Sequence, residues 1–324
     1  MTEADLYTLY KGVYVPTCVH PPQSLQYYEE FTFRPNDILI VTYPKSGTTW
    51  MQEIVPLIMS GGDPASVETL PNWDRVPWLE EQRACILNLE ERPSPRMFAT
   101  HFHNNMMPPS FFKVKPKVIY VMRNPKDVFT SSFHYYGMTS FLVKPGPQSE
   151  FLCKFLDGQV MFGSWFDHVK GWLNAENKDH ILYISYEELI MDLKDSVARI
   201  SQFLEKSLDA EVIDKIADRS VFKNMKQNNM SNYSAVPREF MDQTKSEFLR
   251  KVWIPACSPC PALISKDHHR LQSTTTAPAK TPTHAAPVQT PITIRPHVTS
   301  PALYSCHQFL TSEVKFCSVP RMPG

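Results

Sequence analysis

Three short stretches of the chain carry side chains able to hold an anion or move a proton, and each directly follows an apolar run. After "DILIV" comes "TYPKSGTTW" at residues 42–50, with one lysine, one glycine and several hydroxyls at a strand-to-helix turn. Such a turn exposes backbone N–H groups at a helix N-terminus, where the helix dipole favours an anion. Lys45 adds a cation, and Ser46, Thr48 and Thr49 add hydroxyls around Gly47. The lysine precedes the glycine, so the pattern is not the Gly-x-x-x-x-Gly-Lys-Ser/Thr loop of the usual nucleotide-binding turn. A capped helix start with a solvated lysine accounts for the same residues. The run "KVIYVMR" ends in Arg123, where a magnesium-dependent nucleotidase would carry an aspartate. That points to a second anion site without a metal, within reach of Ser131, although a surface ion pair is the plainer use of such an arginine. Finally, "FATHFH" puts His101 and His103 just past an apolar run. Either imidazole suits a general base near neutral pH, and either suits a structural role. No third ligand stands at metal-binding spacing beside them.

These groups need elements that bring them together. "DILIVTYP" reads as a strand closed by Pro44, and "TTWMQEIVPLIM" sets Trp50, Ile54, Leu57 and Ile58 at helical spacing. "PRMFATHF" and "KPKVIYVMR" read as two more strands. The second runs into "NPKDVFTSSFHYYG", where Asn124 can cap a helix and Pro125 suits its first position. "HILYISYEEL" is a fourth strand, with helices expected around 187–205 and 209–218. Strands alternating with helices imply a parallel, doubly wound α/β sheet, and ligands of such sheets sit beyond the carboxyl ends of the strands. Lys45, His101, Arg123 and Tyr186 all fall there.

The chain has 324 residues, with Lys+Arg and Asp+Glu both at 33. No global charge draws it to nucleic acid or to a membrane surface, so an anion must be held by local groups. No run of about 18 apolar residues is present, and the acidic start "MTEADLYTLYK" has no apolar leader core. Seven irregularly spaced cysteines do not form a disulfide framework. A cytoplasmic protein is expected. Composition shifts near residue 252, beyond which the chain is rich in Pro, Thr, Ser and Ala without a sustained period. The expected organisation is one α/β domain over 1–251, a central parallel sheet flanked by helices, followed by a disordered Pro/Thr-rich tail over 252–324. "CSPC" with His268 and His269 in that tail is a poor zinc pattern, because the second ligand pair is adjacent.

Taken in order, these segments resemble the cytosolic sulfotransferases, which move a sulfuryl group from 3′-phosphoadenosine-5′-phosphosulfate (PAPS) to a hydroxyl or amine. "TYPKSGTTW" is similar to that family's 5′-phosphosulfate loop, "VIYVMRNPKDVFTSSFHYY" to its 3′-phosphate segment, and "ISYEEL" and "FKNMKQNNMSNYS" to its adenine-side segments. The resemblance spans roughly residues 5–251. It implies a catalytic set of His101, Lys45 and Ser131, with His101 taking the acceptor's proton and Lys45 steadying the leaving phosphate. It further implies that Lys45, Ser46, Gly47, Thr48 and Thr49 surround the 5′-phosphate and that Trp50 stacks on the adenine. Arg123 and Ser131 would hold the 3′-phosphate, with Tyr186, Ser220 and Phe222 beside the adenine and Arg250 and Lys251 closing over the site. No metal is implied. "RVPWLE", "FHYYGMTSF" and "FGSWFDHVKGW" supply aromatics where the family builds its cavity for a small lipophilic acceptor.

Two features depart from the family's pattern. A lysine often stands two residues before the family's catalytic histidine, and here that position is Ala99. The family also continues Arg-Lys-Gly into a Gly-Asp-Trp-Lys element and a dimer motif, whereas this chain reads "FLRKVWIPACSPC" and has Val252 in place of the glycine. A monomer with impaired turnover is the expectation, and a non-catalytic or misfolded isoform is the alternative.

Overall fold

Four parallel strands form the centre of the protein, in the order β4-β3-β5-β6, and all end at one edge of the sheet. The computed structural model describes residues 3–250; the expected tail, Lys251 and the Cys/His group near 268 lie outside them. A hairpin of β1 (Tyr7–Tyr10) and β2 (Val13–Pro16), which the sequence did not announce, precedes the sheet. The sheet comprises β3 (Ile38–Thr42), β4 (Met97–Thr100), β5 (Lys117–Met122) and β6 (Ile181–Ser185).

The strands are apolar throughout because both faces are covered. Ile38 and Ile40 of β3 pack with Ile54, Val55 and Ile58 of the helix Thr48–Met59. Leu39 and Val41 turn to the other face, into a cluster with Phe98, Val118 and Tyr120. The helix Pro125–Met138 starts as its sequence predicts, with the Asn124 side chain accepting from the Lys126 N–H. The helical region after β6 is two helices, Tyr186–Met191 and Leu193–Phe203. They meet at Asp192, whose side chain caps the second helix, and Ser185 closes a capping box on the first.

The connection from β3 leads outward to β4, and that from β5 leads outward to β6, on opposite sides. The carboxyl ends of β3 and β5 therefore flank the topological switch point, where the sheet itself opens a crevice. Lys45 and Arg123 follow these two strands.

The opposite end of the sheet is pinned by a buried ion pair. Arg96 meets Asp37 through Nε to Oδ1 at 2.9 Å and Nη2 to Oδ2 at 2.6 Å, and its guanidinium lies over Phe31 and Phe98. Removing one partner of such a pair leaves the other buried and unpaired, at about 3–5 kcal/mol. Asp37→Ala is expected to lower unfolding stability by about that amount, measured by urea denaturation, while the geometry at the carboxyl edge of the sheet persists. A loss below about 1 kcal/mol would show that the arginine finds other partners.

Candidate active site

The turn after β3 is shaped by backbone constraint. Lys45 has φ 68° and Gly47 has φ 116°, conformations that cost a side-chain-bearing residue energy. At Gly47 there is also no room: a Cβ would lie 3.0 Å from Cδ2 of Tyr186. The glycine thus lets the β3 turn sit against the start of the helix after β6. Thr48 opens the following helix, and its hydroxyl is 2.5 Å from that of Thr42, the last residue of β3.

Three cations come together here. Arg123 donates from Nη1 to the Lys45 carbonyl at 2.8 Å, and its guanidinium lies 4.1 Å from the Tyr186 ring centre. The Lys45 ammonium sits between the rings of Tyr135, at 4.3 Å, and Phe248, at 4.1 Å. Burial, followed by the charges of Arg123 and Arg250, lowers the Lys45 pKa to about 7. Among the described residues, no ion pair joins these three cations to a carboxylate. Nε of Arg123, Nη2 of Arg250, Oγ of Ser46 and Oγ of Ser220 are buried without a hydrogen-bond partner. Buried polar atoms ordinarily have partners. Orphaned donors among unpaired cations fit a phosphate-bearing anion.

The neighbouring wall is aromatic. Trp50 donates its indole N–H to the Ser220 carbonyl at 2.8 Å and meets Tyr186 edge-on at 5.2 Å. Phe222 is half-buried at the first position of the helix Phe222–Gln227, two residues beyond Ser220, and Ser131 is half-buried on the helix Pro125–Met138. Thr49 follows Thr48 in the first turn of its helix. The structure thus gathers Lys45, Ser46, Gly47, Thr48, Thr49, Trp50, Arg123, Tyr186 and Ser220 around the switch point, while Lys251 lies outside the described residues.

On the other side of Thr42 stands His101. Its Nε2 is 3.0 Å from the indole nitrogen of Trp78, a group that can only donate. Nε2 is therefore the lone-pair nitrogen, and Nδ1–H donates to the Thr42 carbonyl at 2.8 Å. The His101 backbone N–H donates to Oε1 of Glu80 at 2.8 Å. Burial lowers the His101 pKa to about 4, with the Thr42 carbonyl opposing the shift and the Lys45 charge adding to it. Burial raises Glu80 to about 7. His103 is held differently, with Nε2 against the Phe162 carbonyl at 2.8 Å and its ring edge-on to His168. Its geometry is structural.

Among the aromatic stretches expected to line an acceptor cavity, Trp78 and Phe162 touch His101, and Tyr135 touches Lys45. Trp172 instead is fully buried core, its indole bound to the Phe102 carbonyl. Thr42, Glu80 and Phe248 enter the site without having been singled out in the sequence. Only Glu80 carried a signal, as the acid two residues after Trp78. Ala99 is buried in β4, in the cluster on the side of the helix Thr48–Met59. Among the described residues, no group of three His, Cys, Asp or Glu side chains could hold a metal ion, and no helix is long and apolar enough to cross a membrane.

The sulfotransferase domain matches residues 35–254, which include every element of this site. The chain belongs to the sulfotransferase family. Sulfotransferase 2B1 of Mus musculus is 46% identical over 246 residues, covering 76% of this chain and 72% of its own length. Sulfotransferase 2A1 of Homo sapiens is 39% identical over 249 residues, covering 76% and 87%. A crystal structure of a mouse sulfotransferase complexed with PAP is 30% identical with a TM-score of 0.65, covering 78% of this chain and 86% of that one. This sulfotransferase therefore shares the fold of a relative crystallised with PAP.

A pKa near 4 leaves His101 of the sulfotransferase neutral through the whole neutral range. Its imidazole signals in NMR are expected to stay in the neutral Nδ1–H form from pH 8 to about pH 5 and to titrate only below. Titration near pH 6.5 would show that the ring is open to water.

Proposed function

We propose that this chain transfers a sulfuryl group from PAPS to a hydroxyl or amine of a small lipophilic acceptor such as a phenol, steroid, alcohol or amine. The observation that carries the reading is the meeting of three cations and four orphaned polar atoms beside a neutral imidazole. An anionic donor and a proton-bearing acceptor require those two halves. The PAP held by the mouse relative supports the nucleotide, and the hydroxysteroid sulfotransferases of Cavia porcellus among the relatives favour a steroid-like alcohol.

Bound at the switch point, PAPS supplies an activated sulfonate and leaves as a phosphate. Ser46, Gly47, Thr48 and Thr49 present N–H and hydroxyl donors to the 5′ side, and Arg123, Ser131 and Arg250 serve the 3′-phosphate. Trp50, Tyr186, Ser220 and Phe222 form the adenine wall. Lys45 stands where negative charge grows on the leaving oxygen, so its stabilisation is greatest in the transition state. His101 removes the acceptor's proton at Nε2, after the acceptor hydroxyl has taken the place of the Trp78 N–H. Neutral at pH 7, it is ready to accept that proton, although its low basicity makes the Lys45 side of the reaction correspondingly important.

Alanine variants separate these roles. His101→Ala is expected to cut kcat by about 10²–10⁴-fold with PAP affinity kept. Lys45→Ala should act mainly on kcat, and Arg123→Ala mainly on nucleotide affinity. Isothermal titration with PAP and steady-state rates on a phenol and steroid panel give the comparison. Equal losses of affinity in the Lys45 and Arg123 variants would contradict the assignment.

The domain is proposed to span residues 1–251, in a monomeric, cytoplasmic protein; sedimentation and cell fractionation check the last two points. Val252 stands where the family's closing element has glycine and disfavours positive φ. Nucleotide affinity and turnover are therefore expected to be lower than in a chimera whose residues from 252 onward are replaced by a Gly-containing family C-terminus. Identical PAP thermal shifts and rates in the two proteins would clear the tail of any effect.

A further inference from the structure

The acceptor side contains a second imidazole fixed in the same way as the base. His20 is 1% exposed, and its Nδ1 lies 2.9 Å from the Pro16 carbonyl. A carbonyl only accepts, so Nδ1 carries the hydrogen and Nε2 holds a bare lone pair. That Nε2 is buried and has no hydrogen-bond partner. Burial lowers the His20 pKa to about 4, so the ring is neutral and cannot turn Nε2 into a donor near pH 7. His20 and His101 meet edges of the same ring, that of Phe162, at centroid distances of 5.6 and 5.1 Å. The next chain segment is close as well, since the Gln82 N–H donates to the Val19 carbonyl at 2.8 Å, four residues beyond Trp78.

A buried acceptor left without a donor costs about 1–3 kcal/mol. Phenylalanine would fill the same aromatic position against Phe162 without that cost. The described residues supply no donor to this atom, and a ligand that brings one would satisfy it. We infer that His20 is a specificity-determining residue of the acceptor cavity, whose Nε2 accepts a hydrogen bond from a second hydroxyl or N–H of the acceptor, remote from the group that is sulfated. The preferred acceptor is then a rigid, lipophilic diol or amino alcohol. One polar end reaches His101 and the other reaches His20, both imidazoles standing against the Phe162 ring. This inference rests on the acceptor cavity proposed above. Within it, an acceptor lacking the second donor, or carrying an ether oxygen in its place, leaves Nε2 unpaired and is discriminated against.

The test uses the full chain and three probes that share a steroid skeleton: a mono-ol, the corresponding diol, and the diol with its remote hydroxyl methylated. In the wild type, the diol is expected to exceed both others in kcat/KM by roughly ten-fold, the ordinary yield of one buried neutral hydrogen bond. In His20→Phe that ratio should fall to about two or less, with thermal stability maintained or raised because the orphaned atom is gone. Acceptor binding followed by tryptophan fluorescence, for which Trp78 is a local reporter, gives the same ratio without turnover. If the chain fails to transfer sulfonate but binds the diol preferentially, the catalytic reading fails and the role of His20 stands. Equal binding of the three probes by the wild type, an unchanged ratio in His20→Phe, or no binding of any probe overturns the inference.

Discussion

The site depends on holding the side chains of Lys45, Arg123 and Arg250 together with no ion-paired carboxylate among the described residues. Burial lowers the Lys45 pKa to about 7, and the neighbouring charges of Arg123 and Arg250 add to the fall. The fold answers with groups that tolerate cations without cancelling them. The Lys45 carbonyl accepts from Arg123, the Tyr186 ring lies against the same guanidinium, and Tyr135 and Phe248 flank the ammonium. Ring faces and a carbonyl offset part of the cost and leave the net charge available to a ligand. A glutamate would offset more and would occupy the place the ligand needs.

Thr42 joins this positive crevice to the proton-accepting side. Its hydroxyl meets Thr48 at the start of the helix after the turn, and its carbonyl fixes Nδ1–H of His101. One residue at the end of β3 therefore sets both the origin of the helix Thr48–Met59 and the tautomer of His101. Rigid strands fix such placements better than loops do. The buried Asp37–Arg96 pair at the other end of the sheet, with 0% and 1% side-chain exposure, holds the start of β3 against the residue preceding β4.

Much of this was legible in the sequence because its signals were local. The helix Thr48–Met59 announced itself through apolar spacing, the helix Pro125–Met138 through Asn124 and Pro125, and the strands through apolar runs ending in polar residues. The strands of a parallel sheet all end at one edge, which assigns Lys45, His101, Arg123 and Tyr186 to that edge from sequence alone. The β1–β2 hairpin stayed hidden because "YTLYKGVYVP" is short and aromatic, without the alternation that marks a half-buried strand. Phe248 stayed hidden because its contact with Lys45 spans some two hundred residues, and no local pattern encodes a pairing of that range. Trp78 stood in a quoted stretch, yet its hydrogen bond to His101 depends on a ring orientation that residue type does not carry.

The histidines show why residue type stops short of a role. His20, His101, His103 and His168 are all pushed toward the neutral form by burial. Their chemistry separates only through the partner of each nitrogen. His103 spends Nε2 on the Phe162 carbonyl, and His168 has Nδ1 3.1 Å from the Tyr120 hydroxyl, beside a stack of Tyr120 and Trp172, with its Nε2 buried and unpartnered like that of His20. His101 alone pairs its lone-pair nitrogen with a tryptophan N–H, a bond an incoming hydroxyl can replace without leaving the base unpaired. His20 offers the same nitrogen with nothing in front of it. Exchangeable pairing suits a proton acceptor, because the lone pair stays hydrogen-bonded at every stage; an open lone pair suits recognition, because it is satisfied only by the ligand that brings a donor.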